Sequence, residues 1–163
     1  MQAEFLRLGE LLGERQRAAA INRRVDAALG AAPLKYKPKV LWLVSIEPLI
    51  TVNDATFTAE FIRRAGGRNV FGGLSTRYPC VNIEEIVARQ PEVIIVVAGH
   101  GNRLDLSSLA GLPAVKNRQV YYLAADAVCQ PTPLQFLKGY GLVRGVLARS
   151  QPRSGSPGRS RAR

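Results

Sequence analysis

The sequence is poor in the residues that build metal centres, disulfide frameworks and membrane spans. Its 163 residues include one histidine, two cysteines, one methionine and one tryptophan, and aromatic residues make up 7%. Cys80 and Cys129 lack the close spacing of metal ligands, so we expect no metal site and no disulfide framework. No apolar run approaches the ~18 residues of a membrane helix, and the amino terminus lacks the apolar core of a signal peptide. These absences predict no cofactor, no direct membrane insertion and no export signal within this sequence.

The net charge of +11 is unevenly distributed. The last segment, residues 150–163 (SQPRSGSPGRSRAR), holds four arginines and no acid. It has no large apolar residue to bury, so we expect a disordered basic tail. It also has no aromatic residue on which a base could stack. We therefore expect no nucleic-acid partner; the alternative, salt-sensitive DNA binding through this tail, remains open.

The remaining composition is that of one globular domain, with 47% hydrophobic and 21% charged residues. Residues 4–29 have helical composition and apolar spacing, and Gly30 and Pro33 end this predicted single long helix. We divide the chain into a linking helix at residues 1–33, an α/β lobe at 34–149 and the tail at 150–163.

Within the lobe, strand and helix signals alternate. The runs VLWLVS (40–45), EVIIVVAG (92–99) and VYYLAAD (120–126) are short, apolar and rich in β-formers, as in strands buried on both faces. Helices are predicted at residues 54–65, 82–90, 104–112 and from 132 onward. Alternating strands and helices predict an α/β fold, a three-layer parallel sheet flanked by helices.

Helix caps support this division. Asn82 with Glu85 three residues later is the pattern of a capping box, and Pro91 ends that helix. Thr132 followed by Pro133 is the start signal of the last helix.

In open parallel sheets, ligands bind beyond the carboxyl ends of the strands. Here the strands lead into residues 45–50, 99–103 and 124–130, which suit a mostly apolar ligand better than a reaction centre. Leu49, Ile50, His100 and Asp126 are the candidate ligand contacts on these exits. Asp126 fits a turn or helix-capping aspartate equally well.

His100 is the only histidine, so any catalytic arrangement with histidine must use it. Glycines flank it, and the sequence contains no nucleophile elbow and no activated-cysteine signature. An exposed loop histidine is the favoured interpretation and ligand contact the next. Axial binding of haem iron or cobalt is a minor possibility. The alternative function is a small α/β enzyme, nucleotide- or sugar-dependent, that uses His100 and Asp126.

Two further residues are candidates for contacts. Tyr78 precedes a proline on a loop, where its ring could stack on a flat ligand. Glu84 follows Ile83 at the start of a helix and is expected to point outward, whereas Glu85 folds back on the cap. An exposed, well-placed Glu84 could dock an arginine of a partner.

Four segments in order resemble one family. They are PLITV, AGGRNVF, YPCVNIEEIVARQPEVIIV and LPAVKNRQVYYL. Together they resemble the carboxy-terminal lobe of the class III periplasmic substrate-binding proteins that feed vitamin B12, haem and ferric siderophores to ABC importers. The resemblance covers roughly residues 1–149.

The resemblance implies a non-enzymatic protein with two α/β lobes, a ligand cleft between them and lobe faces that dock on an ABC permease dimer. It places Leu49, Ile50, Tyr78 and Asp126 at the cleft, and Glu84 matches the acidic residue that pairs with permease arginines. It also implies a periplasmic or extracytoplasmic location and a missing N-terminal lobe before Met1. Its B12-binding members place further aromatics and an arginine where this sequence has AVCQPTP.

Overall fold

A computed structural model describes residues 2–30, 34–97, 103–130 and 132–150. In chain order its helices and strands are α1 Gln2–Leu11, α2 Arg15–Leu29, β1 Lys39–Ile46, β2 Leu49–Thr51, α3 Phe57–Arg64, β3 Arg68–Asn69, α4 Ile83–Arg89, β4 Val93–Val96, α5 Pro113–Lys116, β5 Val120–Tyr122, α6 Ala125–Val128 and α7 Pro133–Arg149. The α/β architecture expected from the sequence is confirmed.

The sheet is ordered β2-β1-β4-β5. β1, β4 and β5 are parallel, in the register Trp42–Ile95 and Ile95–Tyr121. β3 also pairs parallel to β1 at its amino end, whereas β2 pairs antiparallel to it at the carboxyl end. The three predicted strands therefore form a parallel core, and short strands occupy the other flank of β1.

Side chains of β1 and β4 alternate between the two faces of the sheet, and both faces are buried. Trp42 and Ile95 point to one face, which α2, α3, α6 and α7 cover; we call this the α3/α7 core. Leu43 and Ile94 point to the other face, which α4 and α5 cover; we call this the α4/α5 core. Strands buried on both faces read as continuous apolar runs, which is why VLWLV and VIIV have no polar positions.

An aromatic stack fills the centre of the α3/α7 core. Phe61 lies parallel to Phe136, with ring centroids 4.8 Å apart, and also stacks on Trp42 at 6.3 Å. Phe57 meets Phe61 edge to face at 5.3 Å. Offset stacking and edge-to-face contacts are the favoured geometries of such rings, so the stack ties β1, α3 and α7 together.

The predicted caps are present. Glu85 N donates to Asn82 Oδ1 at 2.8 Å and Asn82 N donates to Glu85 Oε2 at 3.0 Å, a complete capping box at the start of α4. Thr132 caps α7 by accepting from Gln135 N at 3.4 Å. Both helices therefore begin where the sequence placed them.

The predicted single helix over residues 4–29 is wrong. A turn at 12–14 divides it into α1 and α2, and Gly13 adopts φ +72°, a left-handed conformation that glycine reaches without a steric penalty. The helices pack closely where Gly9 faces Ala18, since a Cβ on Gly9 would lie 2.5 Å from the Ala18 Cβ. The segment therefore forms a helical hairpin.

Two further expectations fail in the lobe. Residues 49–51, placed in a loop, form β2 because their backbone pairs with β1 on one side and with residues 77–81 on the other. The helix expected at 104–112 is instead a series of turns, and α5 starts at Pro113.

None of the helices among the described residues is long and apolar enough to cross a membrane. Residues 151–163 of the predicted tail lie outside the described residues, so its expected disorder stays a prediction.

Candidate functional site at the carboxyl edge of the sheet

The carboxyl ends of β1, β4 and β5 meet at one edge because these strands are parallel. Ligands bind in the crevice outside this edge in open α/β sheets. Ile46, at the end of β1, and Tyr122, at the end of β5, mark the two sides of the described edge. His100 lies outside the described residues.

A backbone ladder joins the segment that carries Leu49 and Ile50 to the segment that carries Tyr78. Residues 77–81 run antiparallel to 49–53. Val81 N donates to Leu49 O at 2.9 Å, and Thr51 N donates to Pro79 O at 3.0 Å. Ile50 pairs with Cys80 in an isolated bridge. Leu49 and Ile50 on one segment and Tyr78 on the other thus belong to one antiparallel pair, and we call these three residues the apolar patch.

Tyr78 is presented to solvent from a fixed loop. Its side chain is 54% exposed, while the neighbouring Pro79 is buried. Asn53 anchors the loop by donating from Nδ2 to Leu74 O at 2.8 Å and from its backbone N to Arg77 O at 3.0 Å. A ring on a fixed backbone leaves only its own side-chain rotation to be ordered when a ligand stacks on it.

Asp126 is not part of this patch. It is exposed on α6, whose Val128 belongs to the α3/α7 core. Leu49 packs against the α4/α5 core on the other face of the sheet. The strand order also separates β5 from β2 by three strand spacings, about 14 Å at ~4.8 Å each. Asp126 can contact only a different part of a ligand that spans the edge.

Tyr122 and Arg103 occupy the same edge and were missed by the sequence analysis. Leu104 N donates to the Tyr122 hydroxyl oxygen at 3.2 Å, and the Arg103 Cζ lies 5.8 Å from the centre of the Tyr122 ring. Tyr122 is 41% exposed and Arg103 is exposed. The tyrosine pair at the end of a strand was the available signal, but the Arg103 contact depends on tertiary folding.

Glu84 occupies the second position of α4 and is exposed. Its neighbour Glu85 is held in the capping box. The first turn of the helix favours the negative charge of both carboxylates. Glu84 therefore remains available for a partner while Glu85 fixes the helix start.

Two groups near this edge have shifted pKa values. Bonds from the Ser107 backbone N and hydroxyl, at 2.9 and 2.8 Å, lower the pKa of Asp105. Partial burial raises the pKa of the Cys129 thiol. Within the described residues, no three potential metal-binding side chains lie together. An apolar and aromatic rim with few polar groups is suited to non-covalent binding of a large, mostly apolar ligand.

A family model described as periplasmic binding protein matches residues 2–127. Among curated proteins, the chain is 34% identical over 124 residues to a vitamin B12-binding protein of Vibrio parahaemolyticus, covering 72% of this chain and 44% of that protein. A vitamin B12-binding protein of Vibrio vulnificus is 34% identical over 103 residues, covering 62% and 38%. The chain thus spans about two fifths of the length of these relatives.

Solved structures share the fold. The periplasmic vitamin B12-binding protein of Vibrio cholerae superposes with a TM-score of 0.71 at 25% identity, over 87% of this chain and 55% of that one. The periplasmic haem-binding protein of Vibrio cholerae superposes with a TM-score of 0.77 at 18% identity, over 90% and 64%. The second likeness concerns the fold alone.

Proposed function

The chain belongs to the periplasmic binding protein family, and from that membership we propose that it is one ligand-binding lobe of the substrate-binding component of an ABC importer. The ligand is a corrinoid, haem or ferric siderophore. The chain supplies one wall of a cleft and, in this proposal, acts outside the cytoplasm without catalysing a reaction. A second lobe would supply the other wall.

The observation that carries the proposal is the patch of Leu49, Ile50 and Tyr78 at the carboxyl edge. It carries two aliphatic residues and an exposed aromatic residue on one pair of antiparallel segments. A flat macrocycle can bury apolar area against the aliphatic side chains and stack on the ring. The family match extends across this patch, since residues 2–127 include all three residues.

A lobe of this kind should bind its ligand weakly by itself. Pockets that bind large ligands tightly enclose most of the ligand surface, and one wall leaves the opposite face of the ligand in water. Association still costs translational and rotational entropy. We expect the affinity to rise when a second lobe encloses the ligand.

Calorimetric titration of the chain with cyanocobalamin, haem and a ferric hydroxamate siderophore tests the ligand claim. Binding of one of the three is expected, and Tyr78→Ala should weaken it about threefold to tenfold because a stacking contact is lost. Leu142→Ala is the matched control: it removes a side chain 46% exposed on α7, away from the edge. Its affinity should equal that of the parent.

The same titration on any longer reading frame that contains these residues tests the two-lobe claim. Failure of every one of these chains to bind any of the three ligands would overturn the ligand proposal. Equal weakening by Tyr78→Ala and Leu142→Ala would place the site elsewhere on the surface.

We further propose that Glu84 docks on an arginine of the permease. Its carboxylate is exposed at the start of α4, and the neighbouring capping box fixes the backbone that carries it. A fixed carboxylate can accept two parallel hydrogen bonds from a guanidinium.

Binding of the chain to permease in detergent or nanodiscs tests this proposal. Glu84→Gln keeps the shape and removes the charge, so it should slow association and reduce the dependence of binding on salt. Glu47→Gln, an exposed carboxylate after β1, is the control. Identical association rates for the Glu84→Gln variant and the parent would contradict the docking role.

A further inference from the structure

We propose that Arg103 and Tyr122 form a carboxylate-binding corner at the β5 side of the edge, which makes the chain select ligands that carry peripheral acid groups. This inference rests on the proposed ligand-binding function and names the chemistry of its ligand.

The Tyr122 ring is the fixed part of the corner. It ends β5, and its backbone pairs with Val96 of β4 in the buried sheet. Its hydroxyl oxygen accepts a hydrogen bond from Leu104 N at 3.2 Å. The ring is thus held at both ends, while 41% of the residue surface remains exposed.

Arg103 is positioned next to the Tyr122 ring. The Leu104 side chain is buried in the α4/α5 core, so the chain is anchored one residue beyond the arginine. The guanidinium carbon then lies 5.8 Å from the centre of the Tyr122 ring, within the range of a cation–π contact. The ring attracts the guanidinium but supplies no hydrogen-bond acceptor through its face.

The positive charge of Arg103 has no carboxylate partner within the part of the chain that the structure describes. The neighbouring Asp105 is engaged instead by the backbone and hydroxyl of Ser107. A guanidinium has five donors arranged to bind a carboxylate through two parallel hydrogen bonds. Arg103 therefore presents an unneutralised, oriented group at the ligand edge.

The corner and Leu49 of the apolar patch lie on the same face of the sheet. Val120 packs against the α4/α5 core, and Tyr122, two residues on, points to that face. Leu49 packs against the same core at the opposite end of the edge. About 14 Å separates the two strands. A ligand that fits both ends has a broad apolar body and a carboxylate at its periphery, such as a porphyrin with acid side chains.

Ligand pairs that differ only in the acid group test the inference. The probes are ferric mesoporphyrin and its dimethyl ester, and cyanocobalamin and a monocarboxylic acid derivative in which one side-chain amide is hydrolysed. Absorbance titration of the whole chain gives Kd for each. We expect the acid form of at least one pair to bind roughly tenfold more tightly than its neutral form, as a charge-assisted hydrogen bond predicts.

Substitutions then assign this preference. Arg103→Gln should remove the acid preference by lowering the affinity for the acid form far more than that for the neutral form, and Arg103→Lys should keep part of the preference. Tyr122→Phe should reduce the preference, because the ring beneath Arg103 is then no longer anchored through its hydroxyl. Lys116→Ala removes an exposed positive charge before β5, at the opposite edge of the sheet, and should leave the preference intact. Thermal melting of each variant checks that it is folded.

The outcomes separate the two proposals. Failure to bind any of the four probes overturns the proposed function and this inference with it. Binding with equal affinity for acid and neutral forms leaves the proposed function standing and overturns the corner. A loss of preference in Lys116→Ala as large as in Arg103→Gln also overturns it, because the preference then reflects the overall positive charge.

Discussion

The chain buries its apolar side chains to very different degrees in its two parts, residues 39–149 and the helical hairpin of residues 2–29. In the lobe, Trp42, Phe61 and Leu43 are completely buried between helices and sheet. In the hairpin, Leu11 is 78% exposed and Leu12 is 68% exposed. The lobe encloses its own core, whereas the hairpin packs one stripe of α2 against it through Val25. Close packing, rather than helical composition, therefore determines where this chain is stable.

The largest test of this contrast compares Phe61→Ala with Leu11→Ala. Phe61 is 0% exposed and contacts Trp42 and Phe136, so its truncation should lower the free energy of unfolding by about 3–5 kcal/mol. Leu11→Ala should change it by less than about 0.5 kcal/mol because the side chain is exposed. Urea denaturation measures both. Similar losses would show that the hairpin face is covered in solution.

Two glycines of α7 allow close packing and open space to be compared within the lobe. A Cβ on Gly139 would lie 2.8 Å from Ala127 O and 3.0 Å from the Phe61 ring, so Gly139→Ala should destabilise the chain by about 1–3 kcal/mol. A Cβ on Gly141 meets no atom within 4 Å. Gly141→Ala should therefore stabilise the helix, by about 0.5–1 kcal/mol. Thermal melting of the two variants should shift in opposite directions, and shifts of the same sign would contradict the packing described for α7.

Capping at the helix starts should give a smaller difference in stability between the lobe and the hairpin. Asn82→Ala removes the capping box of α4 and should cost about 1 kcal/mol. Glu14 precedes α2 in the hairpin but makes no capping hydrogen bond with its side chain. Glu14→Ala should consequently be close to neutral by urea denaturation. An equal cost at both positions would indicate that Glu14 caps α2 in solution.

The smallest expected effect is the pH dependence supplied by Glu60. Partial burial raises the pKa of Glu60, but hydrogen bonds from Arg63 and Arg64 outweigh it and lower the pKa overall. A lowered folded-state pKa gives stability that is present at neutral pH and is lost as pH falls through and below the usual glutamate range. Because the pair is near the surface, the loss should be a few tenths of a kcal/mol.

Urea midpoints at neutral and acidic pH, measured for the parent chain and for Glu60→Gln, isolate this contribution. The variant should show the weaker pH dependence. A stronger pH dependence in Glu60→Gln than in the parent would show that the interaction of Glu60 with the arginines has the opposite sign.

The sequence predicted best those elements whose signals lie within a few residues. The capping box at Asn82 and the apolar run of β1 depend on local spacing, so both were found. The break at Gly13 was missed because a single glycine within a helical pattern either interrupts the helix or is tolerated. β2 was missed because three residues show no measurable period, and its formation depends on pairing with residues 77–81.

The site residues depend on both local and tertiary signals. Leu49, Ile50 and Tyr78 were named as ligand contacts from a strand exit, a loop and a family resemblance; the structure joins their two segments by backbone pairing, and their ligand contacts stay a prediction. Arg103 and Tyr122 were not named. Their contact joins residues nineteen positions apart across a loop and a turn, so no local pattern reveals it. Their binding roles await the titrations above.

The position of β1 has a consequence for native-state hydrogen exchange. β1 is paired on both flanks, with β2 and β3 on one side and β4 on the other, and both its faces are buried. Its amides can reach solvent only when the sheet itself opens. We expect the amides of residues 41–43 to exchange most slowly, at the rate of global unfolding. Amides of the exposed hairpin turn at residues 12–14 should exchange earliest, through local fluctuations that leave the lobe folded.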